Sequence, residues 1–274
     1  MRRIDPTGHG RARGLVSSRV SGSRVDAASF EPPDDLSDVV ESLWFGRWDL
    51  PEDAPHVTEL LGDPCVHVVA ERGGARVVGV WRRRWVRELS GRGLVRGAKL
   101  RPGAVGAFFD GPAVALSDRL TPLSELVDVD PEAFEASVLD PEADADGLAA
   151  LAGHLRAWRR PDHEGEVGHA VAVAALLREV DLYRVEGLAE RAGLSVRGLQ
   201  RLFREHVGAT PKQLLRRVRL QEAALRIERG EASGLAALAA DLGYTDQAHL
   251  TRDFKAVVGQ TPRELERSLY ARPK

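Results

Sequence analysis

The stretch that decides the fold is LAERAGLSVRGLQRLFREHVGATP (Leu188–Pro211), which returns in altered form as LAADLGYTDQAHLTRDFKAVVGQTP (Leu238–Pro262). Three shared positions recur fifty residues later, and six more recur fifty-one residues later, after one inserted residue. In the first copy they are Leu188, Ala189, Gly193, Leu199, Arg201, Phe203, Gly208, Thr210 and Pro211. A repeat of this length indicates a structural unit that occurs twice in the chain.

Each copy carries the start and stop signals of three short helices. The first helix ends at a glycine suited to a left-handed conformation, and Ser195, or Thr245 with Asp246, can cap the second helix. After another glycine, Thr-Pro opens the third helix with threonine as N-cap and proline at the first helical position. The pairs Thr210–Gln213 and Thr261–Glu264 have the spacing of a capping box. A single pattern of this kind is common, but two with matching caps predict two helix-turn-helix units.

The middle helix of each unit has an apolar face and a polar face. Leu199, Leu202 and Phe203 form the apolar face in the first unit, and Leu250, Phe254 and Val257 form it in the second. We call the opposite polar faces the first stripe (Arg197, Gln200, Arg201 and Arg204) and the second stripe (Gln247, Ala248, Thr251, Arg252 and Lys255, with His249 alongside).

There are two hypotheses for these stripes: they contact DNA, or they are simply solvent-exposed surfaces. Arginine forks fit guanine O6 and N7, glutamine amides fit adenine, and small side chains meet thymine methyl groups. The first stripe has no acid before Glu205, and Asp253 lies off the second stripe. The stripes therefore favour contact with double-stranded DNA.

One helix of about 19 residues, Pro211–Arg229, is predicted between the units, with a length of about 28 Å. A rod of that length could place the two middle helices about one DNA turn (~34 Å) apart, facing successive major grooves. Arg216 and Arg217 lie along the rod, where we expect contact with phosphates.

Charge is distributed unevenly along the chain, and the overall net charge of −2 conceals this. Residues 181–274 hold 17 Lys and Arg against 12 Asp and Glu, whereas the remaining residues are net acidic. Residues 118–146 contain ten acids and one base. Local charge governs attraction to phosphates, so the basic end is the expected DNA-binding part.

The predicted fold class is α+β, with four segments. Residues 1–36 are expected to be a flexible tail, with a non-specific DNA-contacting arm as an alternative. Residues 37–127 are β-rich and punctuated by Gly and Pro turns. Residues 128–178 are a helical linker, and residues 179–274 are the all-α domain with two helix-turn-helix units joined by the long helix. We expect a fragment from about residue 178 onward to fold alone.

Residues from about 180 to 270, and GYTDQAHLTRDFKAVVGQTPREL above all, resemble the tandem helix-turn-helix domain of AraC/XylS-type transcription regulators. The resemblance implies base reading by Arg197, Gln200, Arg201, Gln247, Ala248, Thr251 and Arg252; Ala248 replaces a longer polar residue common there. Candidates for phosphate contact are Ser195, Arg204, Arg216, Arg217, His249 and Lys255.

The β-rich segment, with RWDLPEDAP, GRG and KLRPGAVGAFF, resembles the cupin-like sensor domain of some of these regulators. This resemblance implies a small β-barrel that holds an effector. Candidate pocket residues are Trp44, Trp48, Trp81, Trp85 and Phe108, although aromatic filling of a small core is an equal alternative.

Two other functional classes remain alternatives to a DNA-binding regulator. Many cupins are metal enzymes, but Cys65-x-His67 has no obvious third ligand nearby, so no metal, cofactor or catalytic residue is expected. His56 and His67 are interpreted as ordinary histidines. Control by a protein partner through the acidic residues 118–146 remains an alternative. A fused enzyme of the cupin type remains another.

The expected partners are promoter or operator DNA, a small-molecule effector and RNA polymerase. The sequence leaves undecided whether the chain forms a homodimer. No apolar run reaches the ~18–20 residues that span a bilayer. The lone Cys65 fits a reducing bacterial cytoplasm, since no disulfide framework exists.

Overall fold

The computed structural model describes residues 1–4, 15–18, 25–53, 55–60, 65–82, 85–179 and 184–270. Within these ranges, nine strands precede nine α-helices. The strands are β1 (Leu15–Ser18), β2 (Val25–Phe30), β3 (Val40–Asp49), β4 (His56–Leu60), β5 (His67–Glu71), β6 (Gly74–Val78), β7 (Trp85–Leu89), β8 (Arg92–Leu100) and β9 (Leu120–Pro122). The helices are α1 (Pro131–Leu139), α2 (Asp144–Trp158), α3 (Glu164–Ala175), α4 (Val185–Arg191), α5 (Val196–Leu202), α6 (Pro211–Glu228), α7 (Leu235–Asp241), α8 (Gln247–Val258) and α9 (Pro262–Tyr270).

The strands form two antiparallel sheets. The large sheet has the order β2-β3-β8-β5-β6-β9, and the small sheet has the order β1-β4-β7. Trp48, Val69, Leu89 and Val95 form an apolar cluster that joins β3, β5 and β8 of the large sheet to β7 of the small one. We call this side of the large sheet its concave face.

The closed β-barrel expected from the sequence is not found among the described residues. The large sheet ends at β2 and β9, and the small sheet is separate from it. Helices α1 and α2 cover one face of the large sheet, and the small sheet meets the other face through side-chain packing, without strand pairing between the described residues that would close a barrel. The coarser prediction, a sheet-containing amino-terminal half and a helical carboxyl-terminal half, is confirmed.

A buried arginine fastens these helices to the sheet. Arg96 of β8 is 1% exposed, and its guanidinium donates to the carbonyl oxygens of Val138 (2.7 Å) and Pro141 (3.0 Å). It also donates to the Asp144 carboxylate at 2.8 Å, at the start of α2. Since a buried charge needs partners on every side, this network specifies where α1 ends and α2 begins.

The tail expected over residues 1–36 is wrong for its last twelve residues. Val25–Phe30 is an edge strand paired with β3, and Leu36 is fully buried. Leu15–Ser18 pairs with β4. These residues are ordered because they complete the edges of the two sheets. Much of the basic opening, residues 5–14 and 19–24, lies outside the described residues, and so does the alternative of a DNA-contacting arm there.

The main apolar core crosses the expected segment boundaries at residues 127 and 178. It joins sheet residues such as Val68 and Ala98 to Leu151 of α2 and continues to Leu199 and Phe203 of the first helix-turn-helix unit. The second unit has a core of its own, formed by residues such as Leu238 and Phe254. The first unit is therefore packed on the amino-terminal half, whereas the second is self-contained.

No helix within the described ranges combines the length and apolar character needed to cross a lipid bilayer.

Candidate nucleic-acid interface

The first unit is built around α5. Ser195 caps this helix, its hydroxyl oxygen accepting a hydrogen bond from the Gly198 amide at 3.1 Å. Leu199 and Phe203 are fully buried, which confirms the predicted apolar face. The helix continues as a π-helical turn, Phe203–Val207, and stops at Gly208, whose φ of 90° is left-handed.

The first stripe lies on the surface of the molecule. Arg197, Gln200, Arg201 and Arg204 are all exposed. Arg204 donates to the Glu205 carboxylate at 2.9 Å, so part of its charge is neutralised within the chain. Arg197 and Arg201 form no ion pair with the described residues and so present the least compensated positive charge of the stripe in this part of the chain.

The second unit repeats this arrangement around α8. The Asp246 carboxylate caps the helix by accepting from the His249 amide at 2.7 Å, and Leu250 and Phe254 are fully buried. In the second stripe Ala248, Arg252 and Lys255 are exposed, while Gln247 and Thr251 are partly exposed. Both helices thus expose the faces predicted for DNA contact.

The linking helix α6 spans 18 residues and begins where the sequence predicts. At its start, Thr210 accepts from the Gln213 amide at 3.2 Å, and the Gln213 side chain accepts from the Thr210 amide at 2.9 Å. Thr261 and Glu264 repeat this capping box before α9, at 3.2 and 2.7 Å. The two predicted capping boxes are confirmed.

The expectation that Arg217 contacts phosphate is contradicted. The residue is 5% exposed, and its guanidinium donates to the Trp81 carbonyl oxygen at 2.6 Å. It points into the contact between α6 and the amino-terminal half, because that face of the rod is covered. A side chain so enclosed cannot reach a DNA backbone in this conformation.

Arg216, the preceding residue, faces the second unit and forms an ion pair. Its Nε and Nη2 donate to the two carboxylate oxygens of Asp253 in α8, at 3.0 and 2.9 Å. His249 lies beside this pair, with its Nε2 4.0 Å from Asp253 and its ring edge-on to Tyr244 at 5.0 Å. Two candidates for phosphate contact are thus held inside a cluster that links α6 to α8.

Tyr244 and Arg219 complete this cluster, which the sequence analysis missed. The Arg219 guanidinium lies 4.6 Å from the centre of the Tyr244 ring. Burial raises the pKa of Tyr244 to about 12, opposed by the nearby Arg219 and reinforced by Asp253. The available signal was Asp253 itself, an acid in an otherwise basic and neutral helix.

The aromatic pocket candidates do not converge on one site. Trp44 and Trp48 belong to the concave-face cluster, whereas Phe108 is buried in the main core. Trp81 lies next to α6, where its carbonyl oxygen accepts the hydrogen bond from Arg217. The side chain of Trp85 lies outside what the structure describes.

The concave face nevertheless carries buried polar atoms. Trp44 Nε1 and His67 Nδ1 have no hydrogen-bond partner among the described residues, and their rings meet edge-on at 5.9 Å. Burial and the neighbouring Lys99 lower the pKa of His67 to about 3, against a raising effect of Glu41. Lys99 and Glu41 are paired at 3.2 Å. In the described part of the chain, no group of three or more His, Cys, Asp or Glu is arranged to hold a metal ion.

Two parts of the chain match known families. Residues 188–268 match a family described as a helix-turn-helix domain, and residues 28–122 match a domain of unknown function, DUF6597. Over 97 residues the chain is 33% identical to an uncharacterized HTH-type transcriptional regulator of Haemophilus influenzae, covering 35% of this chain and 32% of the relative. Over 86 residues it is 33% identical to the HTH-type transcriptional activator RhaS of Pectobacterium atrosepticum, covering 31% and 30%. The match thus spans about a third of the length of these relatives.

Several solved structures are similar to this chain. One is a transcriptional regulator with an AraC-type DNA-binding domain from Chromobacterium violaceum, which is 22% identical with a TM-score of 0.33; the match covers 42% of this chain and 100% of that one. ToxT from Vibrio cholerae is 8% identical, with a TM-score of 0.38, covering 90% and 97%. These scores are too low for the arrangement of those proteins to bear on this chain. The capped repeat and the matching relatives agree over one region: residues 188–268 match the helix-turn-helix domain family and are similar to the corresponding part of HTH-type transcriptional regulators.

Proposed function

We propose that this chain is a transcription regulator that binds double-stranded DNA in a sequence-dependent manner through the first and second stripes. The observation that carries the proposal is the exposure of Arg197, Gln200 and Arg201 on a capped helix, repeated by Ala248 and Arg252 in the second unit. Such a regulator acts in the cytoplasm, and RNA polymerase is its expected downstream partner.

The stripes divide the work of recognition. Side chains on the side of a recognition helix that faces the floor of the groove reach base edges, whereas those on its flanks reach phosphates. We assign base reading to Arg197, Gln200, Arg201, Gln247, Ala248, Thr251 and Arg252. Phosphate contact is assigned to Lys255 and Arg204, and to the Ser195 hydroxyl at the amino end of α5, where helix amides attract anions.

We propose further that a small-molecule effector is bound by the amino-terminal half at the concave face. Trp44 Nε1 and His67 Nδ1 are buried polar atoms without partners in the described residues, and such atoms are costly unless a ligand or water satisfies them. Trp48 supplies apolar surface beside them. Phe108 and Trp81 are left out because they lie elsewhere.

Control by a protein partner at the acidic stretch is less well supported. Asp118 accepts from Arg82 at 2.7 Å, Asp140 from Arg72 at 2.5 Å, and Asp144 from Arg96 at 2.8 Å. These carboxylates are engaged within the chain, so their charge is only partly available to a second protein.

The proposed function is tested by selecting bound duplexes from a random-sequence pool with the full chain. Arg201→Ala is then compared with Arg92→Ala, which removes the same charge from an exposed position in the amino-terminal sheet. We expect Arg201→Ala to lose ~1–3 kcal/mol of binding on the selected duplex and to relax preference at one or two base positions. Arg92→Ala should bind like the parent.

The outcome against base reading is equal weakening of selected and scrambled duplexes by Arg201→Ala. If the parent chain itself enriches no sequence and shows no salt-dependent binding, the proposal of a DNA-binding regulator is wrong.

A further inference from the structure

The contact between α6 and α8 decides how the two stripes are placed relative to each other. α5 leads into α6 through the capped turn at Thr210, so the first recognition helix and the rod are connected directly. α8 follows the rod only after α7, and it contacts α6 through the second core, which contains Leu220 of α6 and Phe254 of α8, and through polar side chains. Its rotation and distance therefore depend on those side-chain contacts.

The most geometrically specific of these contacts is the ion pair between Arg216 and Asp253. Two parallel hydrogen bonds of 3.0 and 2.9 Å hold a planar guanidinium against a planar carboxylate. This paired geometry constrains both distance and angle, unlike a single contact between point charges. The Asp253 side chain is 20% exposed and the Arg216 side chain 38%, so the pair is partly shielded from solvent and salt on the Asp253 side.

Because Asp253 lies in α8, the ion pair affects how the second stripe is oriented. Asp253 follows directly after Arg252 and lies two residues before Lys255, so a turn of α8 about its axis moves the whole second stripe. The neighbouring Arg219–Tyr244 contact supports the same side of the helix. Arg217, pointing the other way, fixes the rod to the amino-terminal half.

We propose that Arg216 and Asp253 are positioning residues that set the separation between the two DNA sequence blocks read by α5 and α8. The inference rests on the proposed function, because it presupposes that both stripes read bases. It replaces the sequence-based expectation for Arg216: the guanidinium serves α8, and its charge is neutralised before DNA arrives.

The two roles for Arg216 predict opposite effects of one substitution. If Arg216 held a phosphate, Asp253→Asn would release it and remove a repelling charge, so binding would tighten at every separation. If the pair positions α8, Asp253→Asn and Arg216→Gln both weaken binding, although one raises and the other lowers the positive charge of the protein.

The experiment uses duplexes selected from a random pool by the parent chain. Duplexes carry both sequence blocks at the selected separation, both blocks with a base pair or two added or removed, or one block alone. Arg216→Gln and Asp253→Asn should each lose about tenfold in affinity at the selected separation and prefer it less sharply. Affinity for the single first block should stay within about twofold of the parent.

Two controls separate positioning from charge and from misfolding. Arg229→Gln removes the same charge from an exposed position at the end of α6 and should keep the separation preference. The exchanged pair Arg216→Asp with Asp253→Arg should regain much of the preference, since the ion pair can form in reverse.

Tighter binding by Asp253→Asn, or an unchanged separation preference in both single variants, would overturn the inference while leaving the proposed function intact. A parent chain that selects no paired blocks would instead overturn reading by two units, and this inference with it.

Discussion

His67, on the concave face, is a residue whose protonation the folded chain opposes. Its Nδ1 is buried, and burial together with Lys99 lowers its pKa from 6.5 to about 3. The unfolded chain takes up a proton near pH 6.5, whereas the folded chain resists until about pH 3. Stability contributed by the neutral ring is therefore complete above the unfolded pKa and is lost as pH falls from about 6.5 toward 3, because the unfolded state binds more protons.

We accordingly expect His67→Phe to reduce the acid sensitivity of folding. The substitution keeps an aromatic ring beside Trp44 but removes the titrating group. The free energy of unfolding should fall less between neutral pH and about pH 5 than in the parent, where one such group contributes a slope of at most ~1.4 kcal/mol per pH unit. Urea unfolding at both pH values measures this.

An equal acid-induced loss in His67→Phe and the parent would show that His67 is not a source of that loss.

At the scale of secondary-structure elements, the two recognition helices end in the same way but in different surroundings. Gly208 closes the π-helical turn with φ 90°, and Gly259 closes α8 with φ 87°. A methyl group on Gly208 would lie 2.9 Å from Ser117 Oγ and 3.0 Å from the Ala113 carbonyl oxygen. The Gly208 carbonyl also accepts a hydrogen bond from the Ser117 hydroxyl. Gly259 is exposed.

Alanine at these two glycines should therefore have unequal effects. Both substitutions force a side chain into the left-handed region, which costs ~1–2 kcal/mol. Gly208→Ala should lose ~1–3 kcal/mol more, because the hydrogen bond to Ser117 and the packing on Ala113 must also shift. Urea unfolding of both variants measures the loss in the free energy of unfolding, with a probe in the helix-turn-helix unit that carries the substitution. Equal losses would mean that docking on Ala113 and Ser117 contributes nothing measurable.

Local signals explain why some elements were predictable. Thr210, Pro211 and Gln213 define the start of α6 through contacts within four residues, so its span of Pro211–Glu228 agrees with the predicted 211–229. The end of α5 was not predictable in this way. The π-helical turn packs on the segment Ala113–Leu116, which lies about ninety residues earlier in the chain.

The sequence also does not predict in which direction each side chain of α6 points, because other parts of the chain cover this helix from two sides. Arg216 and Arg217 are identical neighbours, and their position on the rod led to the same expectation, contact with phosphates, for both. Their roles diverge because Trp81 and Asp253 approach α6 from different sides. The missing barrel has a similar cause, since alternating apolar residues predict that a sheet face is covered but not whether strands or helices cover it.

At the scale of the whole molecule, the chain divides into two packed bodies that do not coincide with its two halves. The main core includes β3, β5, β6 and β8 of the large sheet, α1–α3 and the first helix-turn-helix unit, and the second unit has a separate core. The sequence-based expectation that residues from about 178 onward fold alone must therefore be narrowed. The apolar face of the first unit packs on residues such as Leu116, Val167 and Leu177. All three lie before residue 178, so the fragment lacks them.

Two phenylalanines at equivalent repeat positions test this division. Phe203 belongs to the main core and Phe254 to the second, and both are 0% exposed. Each alanine substitution should cost ~3–5 kcal/mol through the cavity it leaves. The cost should be felt in different places, because cooperative unfolding follows contiguous packing.

Hydrogen exchange of the full chain, followed by mass spectrometry, distinguishes the two cases. Phe203→Ala should accelerate exchange in β3 and β8 as well as in α5, although the strands are more than a hundred residues away in sequence. Phe254→Ala should accelerate exchange in α7, α8 and α9 and leave β3 and β8 as slow as in the parent. If Phe254→Ala loosened the strands as much as Phe203→Ala does, the second unit would be part of one cooperative body with the strands, and the division into two packed bodies would be wrong.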